Sequence, residues 1–387
     1  MIYGILSLLL MFFSIQVFCL RMMLVHESKA IQPRKVYPKI SILLAARNEE
    51  KLIKRNLSAL ERLTYPLDKI EILVGNDQST DNTANLIEDF IKDKPQFKLY
   101  HIDKTVGKGR GKANVLGQLA NHASGTYYFI TDVDVKLPKN WVLALLQEFT
   151  DEVGIVSGTT KCERGGLFAS LQGIDWLHFM GYIKGFANIG LGCTSVGNNM
   201  AVRAESYWQT GGYEEIDFSI TEDYKLFKEV TSCGWQWRTV MGEDSLGVAW
   251  YIPNVKEMLH QRKRWLIGAR ELPLNWKTMI VLYGLFVPCL MVMLAINTQL
   301  AITLWFIKFV LQSLFIYLLC LEVKRKPFGL QYLLVYEGYV LLNTVATAVF
   351  YWLPVKSVWK GREYNAEYLS PIDSSAPANT KMRNKKD

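Results

Sequence analysis

The placement of the apolar residues constrains this chain more than any other feature. Residues 2 to 20 (IYGILSLLLMFFSIQVFCL) carry no charge, and further apolar stretches run over 278 to 296, 300 to 321 and 329 to 353. Each is about as long as a helix needs to cross the hydrocarbon of a bilayer. A greasy but water-soluble enzyme is excluded, because the apolar residues gather at the two ends of the chain. The first run has no basic residues before it and no small-residue cleavage site after it, so it reads as an uncleaved anchor over 1–25. Arg21, Lys29, Arg34 and Lys35 follow, and by the positive-inside rule what comes next is cytoplasmic, at the cell (inner) membrane.

The C-terminal stretches pose a problem of parity. Lys324, Arg325 and Lys326 belong inside by the same rule, and so does the tail with Lys356, Lys360, Arg362, Lys381, Arg383, Lys385 and Lys386. Three full spans within 276–354 would put the basic tail, 355–387, outside. One stretch is therefore expected to be re-entrant or interfacial, and 329 to 353, which carries Glu337 and Asn343, is the candidate. Lys308 and Glu337 are ionisable groups that should face protein or a cavity rather than lipid.

With 387 residues there is length for two or three units, and Lys+Arg 44 against Asp+Glu 36 gives a formal charge of +8. That excess is an orientation and membrane signal, and nothing in it calls for nucleic acid. The six cysteines, Cys19, Cys162, Cys193, Cys233, Cys289 and Cys320, form no CxxC pair, as expected in a reducing compartment without structural zinc.

Between 38 and 275 the pattern changes. KISILLAA (39 to 46) is a buried strand, and Leu52, Ile53, Leu57, Leu60 and Leu63 line one helix face. Strand 70 to 75, a turn through Asn76 to Ser79, and a helix with Ala84, Ile87, Phe90 and Ile91 on one face come next. A strand near 98 to 102, a helix near 111 to 123, strand 126 to 131 and a helix opening at Pro138 complete the repeat. Alternating strands and helices imply an α/β domain with a mainly parallel sheet wound on both faces. Ligands of such sheets bind beyond the carboxyl ends of the strands.

Four acidic clusters sit where such strand ends fall: Arg47-Asn48-Glu49, Asn76-Asp77-Gln78-Ser79, Asp132-Val133-Asp134 and Thr221-Glu222-Asp223. Asp77 and Ser79 could equally serve a turn or helix cap, and Thr221 to Asp223 a helix start. Asp132 and Asp134 repel each other unless a cation lies near, and hard oxygen ligands of this kind suit magnesium or manganese holding a diphosphate. The run Gly107-Lys108-Gly109-Arg110-Gly111-Lys112 is neither a phosphate loop, for want of spacing and a following Ser or Thr, nor a dinucleotide fingerprint. It is either a basic loop approaching an anion or a solvated loop. Gln261-Arg262-Lys263-Arg264-Trp265, on a helical stretch just before the membrane segments, could simply anchor at the lipid interface.

Together and in this order, the clusters resemble those of the inverting, membrane-integrated family 2 glycosyltransferases, such as cellulose, chitin and hyaluronan synthases and ceramide glucosyltransferase. The resemblance covers about residues 38 to 275 and implies a GT-A fold, Rossmann-like, that binds a UDP-sugar. It implies that Glu49 and Asp77 contact the uridine, that Asp132 lies near ribose and metal, and that Asp134 is the more direct ligand of a Mg or Mn ion. Lys112, in a G-K-A setting, would contact the nucleotide. Asp223 would be the general base, while Gln261, Arg264 and Trp265 would hold the diphosphate and border the acceptor site. The stretch Ser195 to Met200 resembles the strand that lines the acceptor pocket, although it could equally pack against the helix after Thr221. Two departures weaken any choice of sugar: Asn76-Asp77 where many relatives have Asp-Asp, and Asn114 to Gly117 where Ala-Leu-Asn is common.

The chemistry is coherent. An acceptor hydroxyl is a poor nucleophile, so a carboxylate takes its proton as it attacks the anomeric carbon. The leaving UDP develops charge that a metal and Arg264 can stabilise. One base without an enzyme nucleophile means a single displacement with inversion, while a retaining double displacement would need a second carboxylate as nucleophile, which the sequence alone leaves open. The acceptor is expected to be a growing polysaccharide or, alternatively, a lipid that receives one sugar. Four apolar segments make a narrow channel, so an extruded polymer would call for a homo-oligomer or a partner subunit. From a different class, an inactive membrane scaffold or sugar-nucleotide sensor would have no physical need for clustered carboxylates.

Overall fold

The computed structural model describes residues 2–25, 31, 36–192, 194–360 and 362–364. Lys29, Arg34, Lys35, Cys193, Lys381, Arg383, Lys385 and Lys386 lie outside the described residues, and Arg362 is described in its backbone only. The chain opens with helix α1 (Ile2–Val25). It continues through β1 (Ile40–Ala46), α2 (Ile53–Glu61), β2 (Ile70–Asn76), α3 (Thr83–Ile91), β3 (Phe97–His101), α4 (Lys112–His122) and β4 (Tyr127–Asp132). Next come β5 (Val135–Lys136), α5 (Trp141–Leu146), β6 (Val153–Ser157), β7 (Thr159–Cys162), the long helix α6 (Leu167–Ala187) and β8 (Asn199–Arg203). α7 (Ala204–Gln209), α8 (Gly212–Glu215), α9 (Glu222–Ser232), β9 (Gln236–Thr239), β10 (Leu246–Ala249) and α10 (Val255–Gly268) follow. The end of the chain holds α11 (Leu274–Ile296), α12 (Thr298–Glu322), α13 (Leu330–Trp352) and the hairpin β11 (Ser357–Trp359) with β12 (Arg362–Tyr364).

The main sheet runs in the order β3-β2-β1-β4-β8-β6-β9. The expected parallel pairs are there, β1 with β2 and β4, and β2 with β3, while β8 runs antiparallel between β4 and β6. β1 is apolar on both faces because both are covered. Ile40, Ile42, Leu44 and Ala46 pack with Leu57 and Leu60 of α2, and Leu43 packs with Val115 and Leu116 of α4 on the other side. Parallel strands buried in this way read as continuous apolar runs. A second sheet, β5-β10-β7, stands beside the end of β4. α5 begins at Trp141, one turn later than the expected opening at Pro138, whose carbonyl accepts the Trp141 amide.

Four helices are long and apolar enough to cross a membrane: α1, α11, α12 and α13. The first three pack on one another, with Phe12 against Phe286 in a shared apolar cluster. α13 is different. It is continuous, which excludes a re-entrant break, and it lies along α6 and α10, with Tyr336 bonded to Asp175 and Phe350 edge-on to His260. At about 1.5 Å per residue it is on the order of 35 Å long, yet both its flanks meet the 38–275 domain. Before it, Lys324 pairs with Glu243 at 3.3 Å and Arg164 lies over Phe328. After it, Lys263 donates to the carbonyls of Leu353 and Val355, both at 2.8 Å, and Lys360 pairs with Glu49 at 2.7 Å. Lys308 is answered by Glu337, with both carboxylate oxygens at 2.8 Å, and Gln312 donates to the same carboxylate at 2.7 Å. Cys19, Cys162, Cys233, Cys289 and Cys320 are free thiols.

Candidate active site

The carboxyl ends of β1, β2 and β4 open into a cavity of about 700 Å³ whose walls include Glu49, Asp77, Lys112, Asp132, Asp134, Asp223, Gln261, Arg264 and Trp265. The residues to which the resemblance gave a role thus line one cavity.

Its rim is built from two loops laced together. Asn48 and Gln78, just past β1 and β2, both adopt positive φ (52° and 53°), a conformation rare outside glycine and found where a site is held against local preference. The Asn48 amide donates to Ser79 Oγ at 3.1 Å, Glu49 N to Thr83 Oγ1 at 2.7 Å, and Thr80 N to Asn48 Oδ1 at 2.8 Å. Ser79 is therefore a cross-loop acceptor. Asp77 is buried, and Arg47 donates to its carbonyl at 2.7 Å.

The Asp132–Asp134 turn is fixed by its backbone. Asn56 of α2 donates to the carbonyls of Asp132 and Val135 at 3.0 and 2.8 Å, and the Trp250 amide to that of Asp134 at 2.8 Å. The side chains remain available for chemistry. Lys112, the first residue of α4, reaches Asp132 Oδ1 at 2.6 Å and Glu222 Oε1 at 2.9 Å. The two carboxylates hold its ammonium charged well above the ordinary lysine range against the opposing effect of burial. Asp134 Oδ1 is buried with no hydrogen-bond partner among the described residues. Burial, then the charges of Asp132 and Glu49, push the Asp134 carboxyl up to about 7.

Those properties decide whether a divalent ion fits. An orphaned carboxylate oxygen beside a second carboxylate is what such an ion relieves. Among the described residues no group of three or more His, Cys, Asp or Glu is arranged to hold a metal alone. Asp134 and Asp132 would thus supply only part of a shell.

Asp223 enters from α9. The cluster does open α9, with Glu222 and Asp223 in its first turn, although the Thr221 side chain makes no cap bond to that helix. Asp223 Oδ2 accepts the Gly197 amide at 2.8 Å, Oδ1 accepts the Tyr224 amide at 2.8 Å, and Ser195 Oγ donates to the Asp223 carbonyl at 2.7 Å. A Cβ on Gly197 would meet the Asp223 side chain at 2.7 Å, so only glycine permits this approach. The Ser195 to Met200 stretch therefore does both things expected of it: it lines the cavity and packs against α9. Burial, then Glu222, push the Asp223 carboxyl up to about 6, with Lys112 opposing.

α10 is brought alongside by a similar close fit. Gly268 abuts Thr221, where a Cβ would lie 2.3 Å from the Thr221 methyl, and Tyr224 donates to the Glu271 carbonyl at 2.8 Å. Gln261, Arg264 and Trp265 then line the cavity, and Arg262 lies over the Trp265 ring at 4.4 Å. In the glycine-rich run, Gly107 and Gly111 take positive φ. Arg110 donates to the Gly107 and Gly109 carbonyls while lining the cavity, and Lys108 pairs with exposed Asp217.

Two contributors were invisible beforehand. Glu222 appeared only as a neighbour of Asp223, and Lys360 only as one cation of a basic tail. The turn between β11 and β12 puts Lys360 Nζ 2.7 Å from Glu49 Oε1, and Arg47 Nε donates to its carbonyl at 3.3 Å. Burial raises the Glu49 carboxyl and Lys360 opposes that rise. Nothing in local spacing announces a contact across some three hundred residues.

The family profile described as glycosyl transferase family 21 matches residues 6–369. Poly-β-1,6-N-acetyl-D-glucosamine synthase of Staphylococcus epidermidis is 28% identical over 255 residues, 62% of this chain and 57% of that protein. A probable glycosyltransferase, YdaM of Bacillus subtilis, is 28% identical over 260 residues, 62% and 58%. The chain thus spans little more than half the length of these relatives. Among solved structures, the mannosyltransferase PcManGT of Pyrobaculum calidifontis, determined with GDP-Man and Mn2+, superposes with a TM-score of 0.57 at 18% identity, over 91% of this chain and 99% of that one. That likeness bears out the GT-A fold.

Proposed function

The chain belongs to glycosyl transferase family 21 and is a glycosyltransferase, and on that premise we propose that it transfers a sugar from a UDP-sugar, with inversion, to a polysaccharide or lipid acceptor at the cytoplasmic face of the cell membrane. The observation that carries the reading is Asp223, a half-buried carboxyl held by two backbone amides, raised to about 6 and lining the cavity that also holds Asp132 and Asp134. A base poised just below neutral pH is ionised in the cell and still basic enough to take a hydroxyl proton. Glu49 and Asp77 bind the nucleoside, with Asp132 near its ribose, and Lys112 contacts the nucleotide. Gln261, Arg264 and Trp265 hold the diphosphate and border the acceptor.

Asp134 and Asp132 are the residues that would hold Mg or Mn, which when bound neutralises charge on the departing diphosphate. Arg264 adds positive charge on the same side. Asp223 removes the acceptor proton, and with no enzyme nucleophile in the scheme the displacement is single. The likeness to a poly-β-1,6-N-acetyl-D-glucosamine synthase makes UDP-N-acetylglucosamine the first donor to try. Release of UDP from purified protein should depend on Mg or Mn and cease with a chelator, and Asp134→Ala should lower it by about a hundredfold or more. Metal-independent turnover by Asp134→Ala at the wild-type rate would refute the metal assignment.

A single-sugar transferase acting on a lipid is the second reading. It is favoured by the continuation of the same cavity among Phe12, Met279, Tyr283, Asn343 and Thr347 of α1, α11 and α13. In either case α13 lies in the membrane surface as the interfacial segment, which keeps its basic tail beside the catalytic domain. An impermeant maleimide should then label Lys356→Cys from the same side as native, exposed Cys233, and Gln299→Cys from the other. Labelling of Lys356→Cys with Gln299→Cys would show that α13 crosses.

A further inference from the structure

Beyond Trp265 the cavity reaches a group that the proposed chemistry does not use. Trp265 meets Trp176 of α6 edge-on at 5.3 Å, and the next turn of α6 carries His178, 2% exposed and part of the same cavity wall. Its Nε2 is buried and has no hydrogen-bond partner among the described residues. A buried ring nitrogen without a partner, on a residue that lines the cavity, is a desolvated group awaiting a partner.

The neighbours fix which kind of partner. Arg262 pairs with Asp175 Oδ2 at 2.5 Å, so Asp175 stands as the acceptor of this cluster. Tyr336 has a single hydroxyl hydrogen and gives it to Asp175 Oδ1 at 3.1 Å. His178 Nδ1 lies 3.4 Å from the Tyr336 oxygen, and since that hydrogen is already committed, Nδ1 must carry the proton. Burial, aided by the charge of Lys308, pushes the ring down to about 3, so it is neutral. A neutral imidazole protonated at Nδ1 has a lone pair at Nε2. The chain Asp175–Tyr336–His178 therefore presents a hydrogen-bond acceptor, and its complement is a donor, which on a sugar or lipid acceptor is a hydroxyl. Tyr182, tilted on the ring at 4.9 Å, and Phe315, edge-on at 5.7 Å, flank it. Tyr283 lines the cavity beside them. Aromatic walls with one directed polar atom are a frequent setting for a ligand of mixed polarity.

We propose that His178 Nε2 accepts a hydrogen bond from a hydroxyl of the acceptor molecule other than the one that attacks, so that this enzyme selects a polyol. The inference rests on the glycosyltransferase reading of the same cavity and adds to it the chemistry of the acceptor. Asp175 and Tyr336 are positioning residues that set the tautomer.

The test uses the full-length protein in detergent, with the UDP-sugar from which it releases UDP most rapidly. Three probes are offered: N-acetylglucosamine oligosaccharides as a free polyol, octyl glucoside as a lipid-linked polyol, and dodecanol as a lipid with one hydroxyl. Wild type should glycosylate one of the polyols in preference to dodecanol, and which one tells a free acceptor from a lipid-linked one. His178→Ala should raise KM for that polyol about tenfold, as for a lost neutral hydrogen bond, while the donor KM holds within about twofold. His178→Gln, which restores an acceptor oxygen, should recover most of the loss. An unchanged acceptor KM in His178→Ala would mean that water alone meets Nε2 and would overturn the proposal. Equal use of dodecanol, no use of either polyol, or a joint change of both KM values with a lowered melting temperature would overturn it too. Absence of UDP release from every UDP-sugar by wild type is a separate outcome, read without any acceptor, and it would defeat the donor reading on which this one stands.

Discussion

Glu71, buried, and Asp134, half-buried with Oδ1 out of solvent, stand at opposite ends of the same sheet, and they behave in opposite ways. At the amino end, Glu71 Oε1 accepts from Ser41 Oγ at 2.6 Å, the Ser124 amide at 2.6 Å and Ser124 Oγ at 2.8 Å, with Lys98 at 3.5 Å from Oε2. Burial raises its pKa, but those hydrogen bonds outweigh burial and leave it lowered. At the carboxyl end, Asp134 has a buried oxygen without a partner and sits at about 7. The protein has completed one site from its own donors and left the other for something else to complete. Structural carboxylates are satisfied internally, whereas functional ones keep capacity for a ligand.

The sharpest way to break that contrast is Asp223→Asn. The amide cannot take a proton, so transfer should fall by about a thousandfold or more, while UDP binding, measured calorimetrically, stays close to wild type. Retained transfer would remove Asp223 from the role of base. The pH profile gives a smaller effect from the same group. Asp223 must be ionised to act, and its pKa is raised to about 6. The rate should thus be flat above that pH and fall about tenfold for each unit below it. An acid limb near 4 would indicate a carboxylate in an ordinary environment, which this one is not.

How much of this was legible beforehand follows from the same physics. The apolar strands and the carboxylates at their ends were readable because β1, β2 and β4 are buried on both faces and a parallel sheet gathers its strand ends at one edge. Asp77, Asp132, Asp134 and Asp223 all lie there, and the Gln261 to Trp265 box was found by resemblance where spacing alone left an interfacial anchor open. Lys360 and His178 could not be found that way. Lys360 reaches Glu49 only through the path of α13, which hydropathy reads as one more span. His178 sits in an apolar helix whose role depends on a tautomer set by Tyr336, far away in sequence. The strand near Ser195 to Met200 was met by resemblance, but the antiparallel direction of β8 was missed, because its short run, Asn199 to Arg203, carries nothing to mark direction.

The smallest expected effect completes the comparison from its other side. Glu71→Ala removes the acceptor for the Ser41 hydroxyl and for both donors of Ser124, and a buried donor left without a partner costs about 1–3 kcal/mol. The fold should lose about that much at neutral pH, by thermal or chemical unfolding, with kcat and donor KM unaltered because Glu71 is at the far end of the sheet. The sign with pH follows from the lowered pKa. Glu71 contributes stability above its unfolded value of about 4.3 and loses it as pH falls through the folded value, so the gap between wild type and Glu71→Ala should close in acid. A gap that stays constant into acid would assign the loss to packing. A variant that kept its stability but lost turnover would show that the amino end of the sheet also serves catalysis.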